Sequence, residues 1–211
     1  SKHCPIMANQ EIPKLIIVSP CYNEEAILRY SADTLTSFLK RVIALGKIAP
    51  SSRILYVNDG SRDRTWSLIE ELHKDNSFVE GLSLAKNVGS ELAVMAGMMA
   101  ARERADVVVT IDADLQDDVE TIEEMINQYL EGCDIVYGVK TSREADPWLK
   151  RITAEGFYRL QQNMGINVIF NHTNFRLMSK RALEALSEYS ERNLYLRGII
   201  PQLGFRSAEV E

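Results

Sequence analysis

The sequence predicts an α/β protein, with a Rossmann-like, mostly parallel sheet, helices on both faces and a C-terminal helical lobe. Three observations carry that reading. Short apolar runs without polar alternation recur along the chain, as strands buried on both faces do. Longer amphipathic stretches separate them, as crossovers between parallel strands require. Acidic and amide residues follow directly after several of the runs, where open α/β sheets bind their ligands.

The elements follow in order. Leu15–Val18 reads as a fully buried first strand, and residues Glu24 to Leu45 carry helical periodicity. Ile54–Val57 is a second strand, and Arg64 to Lys74 a second helix. Val79 to Leu84 is a third strand, followed by a helix from Ser90 to Arg104. Val107–Ile111 is rich in β-branched residues and reads as the fourth strand. Asp118 to Leu130 is helical, and Ile135–Gly138 is a further strand. Beyond Gly138 the pattern changes. Pro147 to Met164 reads as a helix carrying Lys150, Arg151 and Arg159, and a short β-like piece follows around Phe175–Leu177. Helices are expected over Ser179 to Tyr189 and Arg192 to Ile200, with this last third packed on the sheet edge. The first residues, 1–11, read as a flexible arm, and 12–211 as one domain with halves at 12–140 and 141–211.

Bulk properties exclude several classes. The chain has 211 residues, 45% of them hydrophobic, enough for one sizeable core. A net charge of −6 argues against a nucleic-acid binder. The cysteines, Cys4, Cys21 and Cys133, are odd in number and far apart, so neither a disulfide framework nor a zinc ribbon is expected. His3, His73 and His172 form no ligand cluster by spacing. No apolar run reaches transmembrane length, and no GxGxxG, GxxxxGK[ST] or GxSxG motif is present.

The strand ends carry the chemistry. The first strand runs into Pro20-Cys21-Tyr22-Asn23-Glu24-Glu25, the second into Asn58-Asp59-Gly60-Ser61-Arg62-Asp63, and the fourth into Asp112-Ala113-Asp114-Leu115-Gln116. If the last segment is extended, Asp112, Asp114 and Gln116 point the same way and supply oxygen ligands to a hard cation such as Mg²⁺ or Mn²⁺. The competing role for an Asp at such a junction is to cap the following helix. Ser61 or Asp63 could equally cap the second helix, and Tyr22 either stacks on a base or packs at the edge of the core.

Together with Lys86-Asn87-Val88-Gly89, these pieces resemble the family 2 glycosyltransferases of GT-A fold, in that family's order and spacing. The later segments Tyr137–Arg143, Lys150-Arg151 and Asn171–Ser179 resemble one branch, the polyprenyl-phosphate glycosyltransferases. What the resemblance implies is a nucleotide-diphosphate sugar donor, UDP-linked in preference to GDP-linked, held by Pro20, Tyr22, Asn23, Glu24, Asp59, Lys86, Gly89, Asp112, Ala113 and Asp114. It implies Mg²⁺ or Mn²⁺ on Asp112, Asp114 and Gln116, a polyprenyl phosphate acceptor met by Arg143 and Arg151, and catalytic roles for Arg143, Arg176 and the residue at position 174. It also implies an inverting transfer at the cytoplasmic face of a membrane, and leaves room for an oligomer.

Three departures stand out. Asn174 occupies a position that in this branch is normally Asp, and an amide neither takes a proton nor carries charge. Asn58 stands where Asp is common. The chain stops at Glu211, where members usually continue with a basic segment and transmembrane helices, so a fragment is expected. Two other readings stay open: a family 2 enzyme acting on a saccharide acceptor in cell-surface polysaccharide synthesis, and a catalytically impaired sugar-nucleotide-binding protein.

Overall fold

A computed structural model describes residues 11–139, 148–156, 158, 174–187 and 206–207. Its first part alternates strictly: β1 (Leu15–Cys21), α1 (Leu28–Ala44), β2 (Arg53–Asn58), α2 (Thr65–Asp75), β3 (Val79–Ser83), α3 (Ser90–Arg102), β4 (Val107–Thr110), α4 (Thr121–Leu130) and β5 (Cys133–Val139). Three further strands follow, β6 (Trp148–Thr153), β7 (Arg176–Ser179) and β8 (Arg206–Ser207).

The sheet order is β6-β5-β7-β4-β1-β2-β3-β8. β1 pairs in parallel with β2 and β4, and β2 with β3. β7 is antiparallel to both β4 and β5, so β5 runs in the direction of β1–β4. The edge strands β6 and β8 pair antiparallel with β5 and β3. Five strands therefore share one direction and three oppose it.

Hydrophobic pattern explains the layering. Every residue of β1 is buried, because helices cover both faces of the central strand. Alternate residues feed opposite layers. Leu15, Ile17, Ile54, Tyr56, Val107 and Val109 pack with α1, α2 and α4. Ile16, Val18, Leu55, Val57 and Val108 pack with α3 and a helix over residues 180–187. α1 buries Leu28, Ala32, Leu35, Leu39 and Val42, the 4-3-4-3 spacing of a single helical stripe. Each fully buried Leu or Ile contributes about 1.5–3 kcal/mol relative to exposure. Ser31 Oγ and Tyr56 Oη pair inside this layer at 2.8 Å.

Two expectations for the last third are corrected. Residues 148–153 form a strand, not the start of a helix. The apolar and β-branched residues of this segment, Trp148, Leu149, Ile152 and Thr153, pair along the open edge of β5. Helical residues begin only at 154. Nor is the last third confined to an edge, since β7 sits inside the sheet between β4 and β5. The β-like reading of Phe175–Leu177 agrees with β7, and residues 180–187 lie within the helix expected at Ser179 to Tyr189. The helix expected at Arg192 to Ile200, the 1–10 part of the arm and most of the 141–211 half lie outside the described residues.

Candidate functional site

The chain leaves β1 toward β2 and β3 on one side, then returns to place β4 on the other. β1 is thus the point where the strand order reverses, and ligands in such sheets bind beyond its carboxyl end. A cleft of about 430 Å³ opens there. It is lined by Pro20, Cys21, Tyr22 and Glu24 after β1, and by Asp59 after β2. Asn87, Gly89 and Ser90 contribute from before α3, Asp112, Ala113 and Asp114 from after β4, and Asn174 from before β7.

The β1 and β2 ends are laced together by side chains. Ser61 Oγ accepts the Asn23 N–H at 3.0 Å, and Asn23 Oδ1 accepts the Arg62 N–H at 2.9 Å. Thr65 Oγ1 accepts the Glu24 N–H at 2.9 Å. Glu25 Oε2 accepts the Arg64 N–H at 3.2 Å, and Asp63 accepts the Glu25 N–H at 3.3 Å. Asn23 holds φ 51°, a value that Asn tolerates better than most residues. Asp63 Oδ1 also accepts the Thr65 N–H at 2.9 Å, so Asp63 rather than Ser61 serves the start of α2.

Asp59 is 2% exposed. Its Oδ1 accepts the Val88 N–H at 2.7 Å, and its Oδ2 accepts the Gly89 N–H at 3.0 Å and the Asn87 amide at 3.3 Å. Burial pushes its pKa up, and the two backbone donors pull against that. Gly60 beside it has φ +63°, and a Cβ there would lie 2.3 Å from the Asn87 nitrogen. Only glycine lets the two connections meet so closely.

The β4 end differs from expectation. Residues 113–114 form a turn rather than an extended segment, with the Leu115 N–H bonded to the Asp112 carbonyl at 3.1 Å and Leu115 at φ 51°. Asp112 and Asp114 still both line the cleft, brought there by the turn and not by strand alternation. Gln116 is exposed and does not line it, which the alternation argument had missed. Neither aspartate caps α4, which starts at Thr121, whereas Asp118 accepts the Glu120 N–H at 3.0 Å. The Asn174 amide donates toward Asp112 Oδ1 at 3.5 Å, and the Asn174 carbonyl accepts from the Thr110 hydroxyl.

Among the described residues that line the cleft, the charged ones, Glu24, Asp59, Asp112 and Asp114, are all acidic. Glu24 has a raised pKa, through burial first and then the charges of Asp114, Asp112 and Asp63. Burial, followed by Glu24 and Asp112, pushes the Cys21 thiol well above its ordinary range. Among the described residues no three His, Cys, Asp or Glu side chains gather as a metal cage. Two carboxylates at an open rim nevertheless suit a cation such as Mg²⁺, which usually takes one or two carboxylates and completes its shell with water and phosphate oxygens.

The other expected residues sit elsewhere. Asn23 braces the loop rather than lining the cleft, and Lys86 is exposed beside it. Tyr22 is 44% exposed and lines the cleft, so it is not an edge-of-core residue. Arg151 is exposed on the edge strand β6. Arg176 is 1% exposed in β7, its pKa lowered by burial and partly restored by Glu91. It shares the β7 face that packs toward α3, two residues before Met178. Arg143 lies outside the described residues. Sequence reasoning passed over Asn87 and Ser90 as cleft residues. The glycine ahead of a helix, in Asn87-Val88-Gly89-Ser90, was the signal available.

Comparison with known proteins adds three kinds of likeness. Residues 16–187 match the family model described as Glycosyl transferase family 2. The chain is 51% identical over 201 residues to the uncharacterized glycosyltransferase YkoT of Bacillus subtilis, covering 95% of this chain and 60% of that protein. It is 36% identical over 200 residues to the bactoprenol glucosyl transferase of Shigella phage SfV, covering 94% of this chain and 62% of that protein. The chain therefore spans about three-fifths of the length of these relatives. In fold it resembles the mannosyltransferase PcManGT from Pyrobaculum calidifontis, solved with GDP-Man and Mn²⁺. The TM-score is 0.55 at 17% identity, over 83% of this chain and 47% of that one.

Proposed function

Because this chain belongs to glycosyltransferase family 2, we propose that its cleft binds a nucleotide-diphosphate sugar and that the protein transfers the sugar to a polyprenyl phosphate with inversion. The observation that carries this reading is the convergence of Pro20, Tyr22, Glu24, Asp112 and Asp114 on one cleft at the strand-order reversal. The relatives named bactoprenol glucosyl transferase support the acceptor class. The neighbour solved with GDP-Man and Mn²⁺ supports a nucleotide-sugar donor and a divalent cation.

In this proposal the exposed Tyr22 ring stacks on the base, with Pro20 beside it. UDP is the preferred donor nucleotide, ahead of GDP. Asp112 and Asp114 hold Mg²⁺ or Mn²⁺, which when bound offsets the charge that develops on the departing diphosphate. Arg143 and Arg151 meet the acceptor phosphate, a task suited to guanidinium forks. That phosphate is already ionised near neutral pH, so it needs orientation rather than a base. The Asn174 amide can orient Asp112 but cannot accept a proton. The lipid acceptor would bring the protein to the cytoplasmic face of a membrane. Among the described residues no helix is long and apolar enough to cross one.

The test is calorimetry of UDP- and GDP-sugars with and without Mn²⁺, paired with a labelled transfer assay to a polyprenyl phosphate and to a saccharide acceptor. Metal-dependent donor binding with transfer to the lipid phosphate supports the proposal. Transfer to the saccharide alone would replace the acceptor assignment, and absence of donor binding would remove the whole reading.

A further inference from the structure

We propose that Thr110 is a positioning residue: its hydroxyl holds the Asn174 main chain at the fork where β4 and β7 part, and so sets where residue 174 stands beside Asp112. The inference rests on the reading of Asp112 and Asp114 as a cation-holding rim. The last pair of the β4–β7 ladder is Thr110 with Arg176. Were the ladder to continue, Asp112 and Asn174 would be the next pair to face each other two residues on. It does not continue, because Ile111 stays with β1, its N–H donating to the Val18 carbonyl at 3.1 Å, and residues 113–114 then turn away. The Asn174 carbonyl therefore takes its hydrogen bond from the Thr110 side chain. Thr110 is buried, so its hydroxyl needs an acceptor inside the protein, and the Arg176 carbonyl stands farther off at 3.5 Å.

The other side of the segment is fixed by β5. The Gly138 N–H donates to the Phe175 carbonyl at 3.0 Å, one position beyond the last β5–β7 pair, Tyr137 with Arg176. Phe175 is buried, and a Cβ on Gly138 would lie 2.8 Å from its ring. Residue 175 is thus seated on β5 while residue 174 is tied to β4. Between these two anchors the Asn174 side chain reaches the cleft, and its amide donates toward Asp112 Oδ1 at 3.5 Å. A hydroxyl outside the cleft thereby fixes the distance between two residues that line it.

The test follows the Asn174 side-chain amide by NMR in the metal-free chain, and UDP affinity by calorimetry with Mn²⁺ and with EDTA. The unmodified chain is compared with Thr110→Val and Thr110→Ser, and Asn174→Ala identifies the amide signal by removing it. Thr110→Val keeps the branched shape and loses the donor, whereas Thr110→Ser keeps the donor. In Thr110→Val the Asn174 signal should move, and the tightening of UDP by Mn²⁺ should shrink on the order of tenfold. Affinity in EDTA should match that of the unmodified chain, and Thr110→Ser should restore both readouts. An Asn174 signal that ignores loss of the hydroxyl overturns the proposal, as does a moved signal with the Mn²⁺ effect intact. Equal losses of affinity with Mn²⁺ and with EDTA overturn it too, since they report general damage to the cleft, and so does a serine variant that behaves like valine. Should Thr110→Val fail to fold, Thr110→Ala removes the hydroxyl without setting a methyl against the carbonyl, with the same expectations and the same refutations. An unmodified chain whose UDP affinity ignores Mn²⁺ refutes the cation reading itself, and the metal-free Asn174 signal still decides whether Thr110 places that residue.

Discussion

The wall of the cleft built from the ends of β1 and β2 and the 86–89 turn is tied by side chains across three connections, whereas the rim after β4 is shaped by a main-chain turn and left charged. On the first wall Asn23, Ser61, Asp63, Thr65 and Asp59 each satisfy a backbone donor from another segment or from their own turn. On the second, Asp114 engages the Gln116 N–H at 3.3 Å and Asp112 meets the Asn174 amide at 3.5 Å. Short, many-partnered bonds fix a shape before a ligand arrives. Carboxylates grouped at an open rim instead keep electrostatic energy that a cation can release. The difference teaches that one wall has its shape set by hydrogen bonds between connections, while the other holds carboxylates at an open edge.

The rim offers the largest effect. Asp114→Ala should weaken Mn²⁺-dependent donor binding by about a hundredfold, or ~2.7 kcal/mol, by calorimetry. The residual binding should no longer depend on the metal. Retained affinity with unchanged metal dependence would break the comparison at its charged side.

The knitted wall should answer in stability rather than metal response. Gly60→Ala places a Cβ 2.3 Å from the Asn87 nitrogen and 2.5 Å from the Lys86 carbonyl carbon, at φ +63°. It should cost at least about 2 kcal/mol in urea unfolding. An unfolding midpoint like that of the unmodified chain would show the contact between Gly60 and the 86–87 backbone to be loose.

Asn174→Asp sharpens the contrast on the charged side. A second carboxylate 3.5 Å from the Asp112 oxygen should destabilise the metal-free chain by on the order of 1 kcal/mol and tighten Mn²⁺ binding. Thermal melts with and without Mn²⁺ measure both, and a melt insensitive to the change would separate Asn174 from the rim. If transfer by the two chains is equal, position 174 does not govern turnover.

The smallest effect concerns Glu24. Its pKa is raised in the folded chain by burial and by Asp114, Asp112 and Asp63. The proton-bound form is therefore favoured by folding, and that stability is present at low pH and lost as pH rises through the raised value. Glu24→Gln does not suffer this loss. Its Tm should exceed that of the unmodified metal-free chain by a small margin that grows with pH, and Mn²⁺ should shrink the margin. A margin independent of pH would detach Glu24 from the rim.

Much of the fold was legible because its signals are local. Leu15–Val18 and Val107–Ile111 announce buried strands by composition alone, and the stripe through Leu28, Leu35 and Val42 announces α1. What escaped depends on partners distant in sequence. β1 extends through Pro20 and Cys21 because Val57 and Asn58 pair beside them. Trp148–Thr153 becomes a strand because β5 offers an open edge, which no local periodicity reveals. The site was legible where acidic residues follow strands. It was illegible where geometry decided, as at Leu115, whose left-handed backbone turns Gln116 away from the path that alternation implied. Asp59 was visible as a cleft residue, but its partners Val88 and Gly89 donate through main chain, and sequence does not display backbone donors.

The most direct test of the central claim is anomalous diffraction from crystals of the chain grown with UDP and Mn²⁺. The account predicts a manganese peak within coordination distance of both Asp112 and Asp114, bridging to the diphosphate, with the base against Tyr22. A manganese and nucleotide seated elsewhere would contradict it, for instance in the cleft of about 300 Å³ lined by Asp106 and Tyr129.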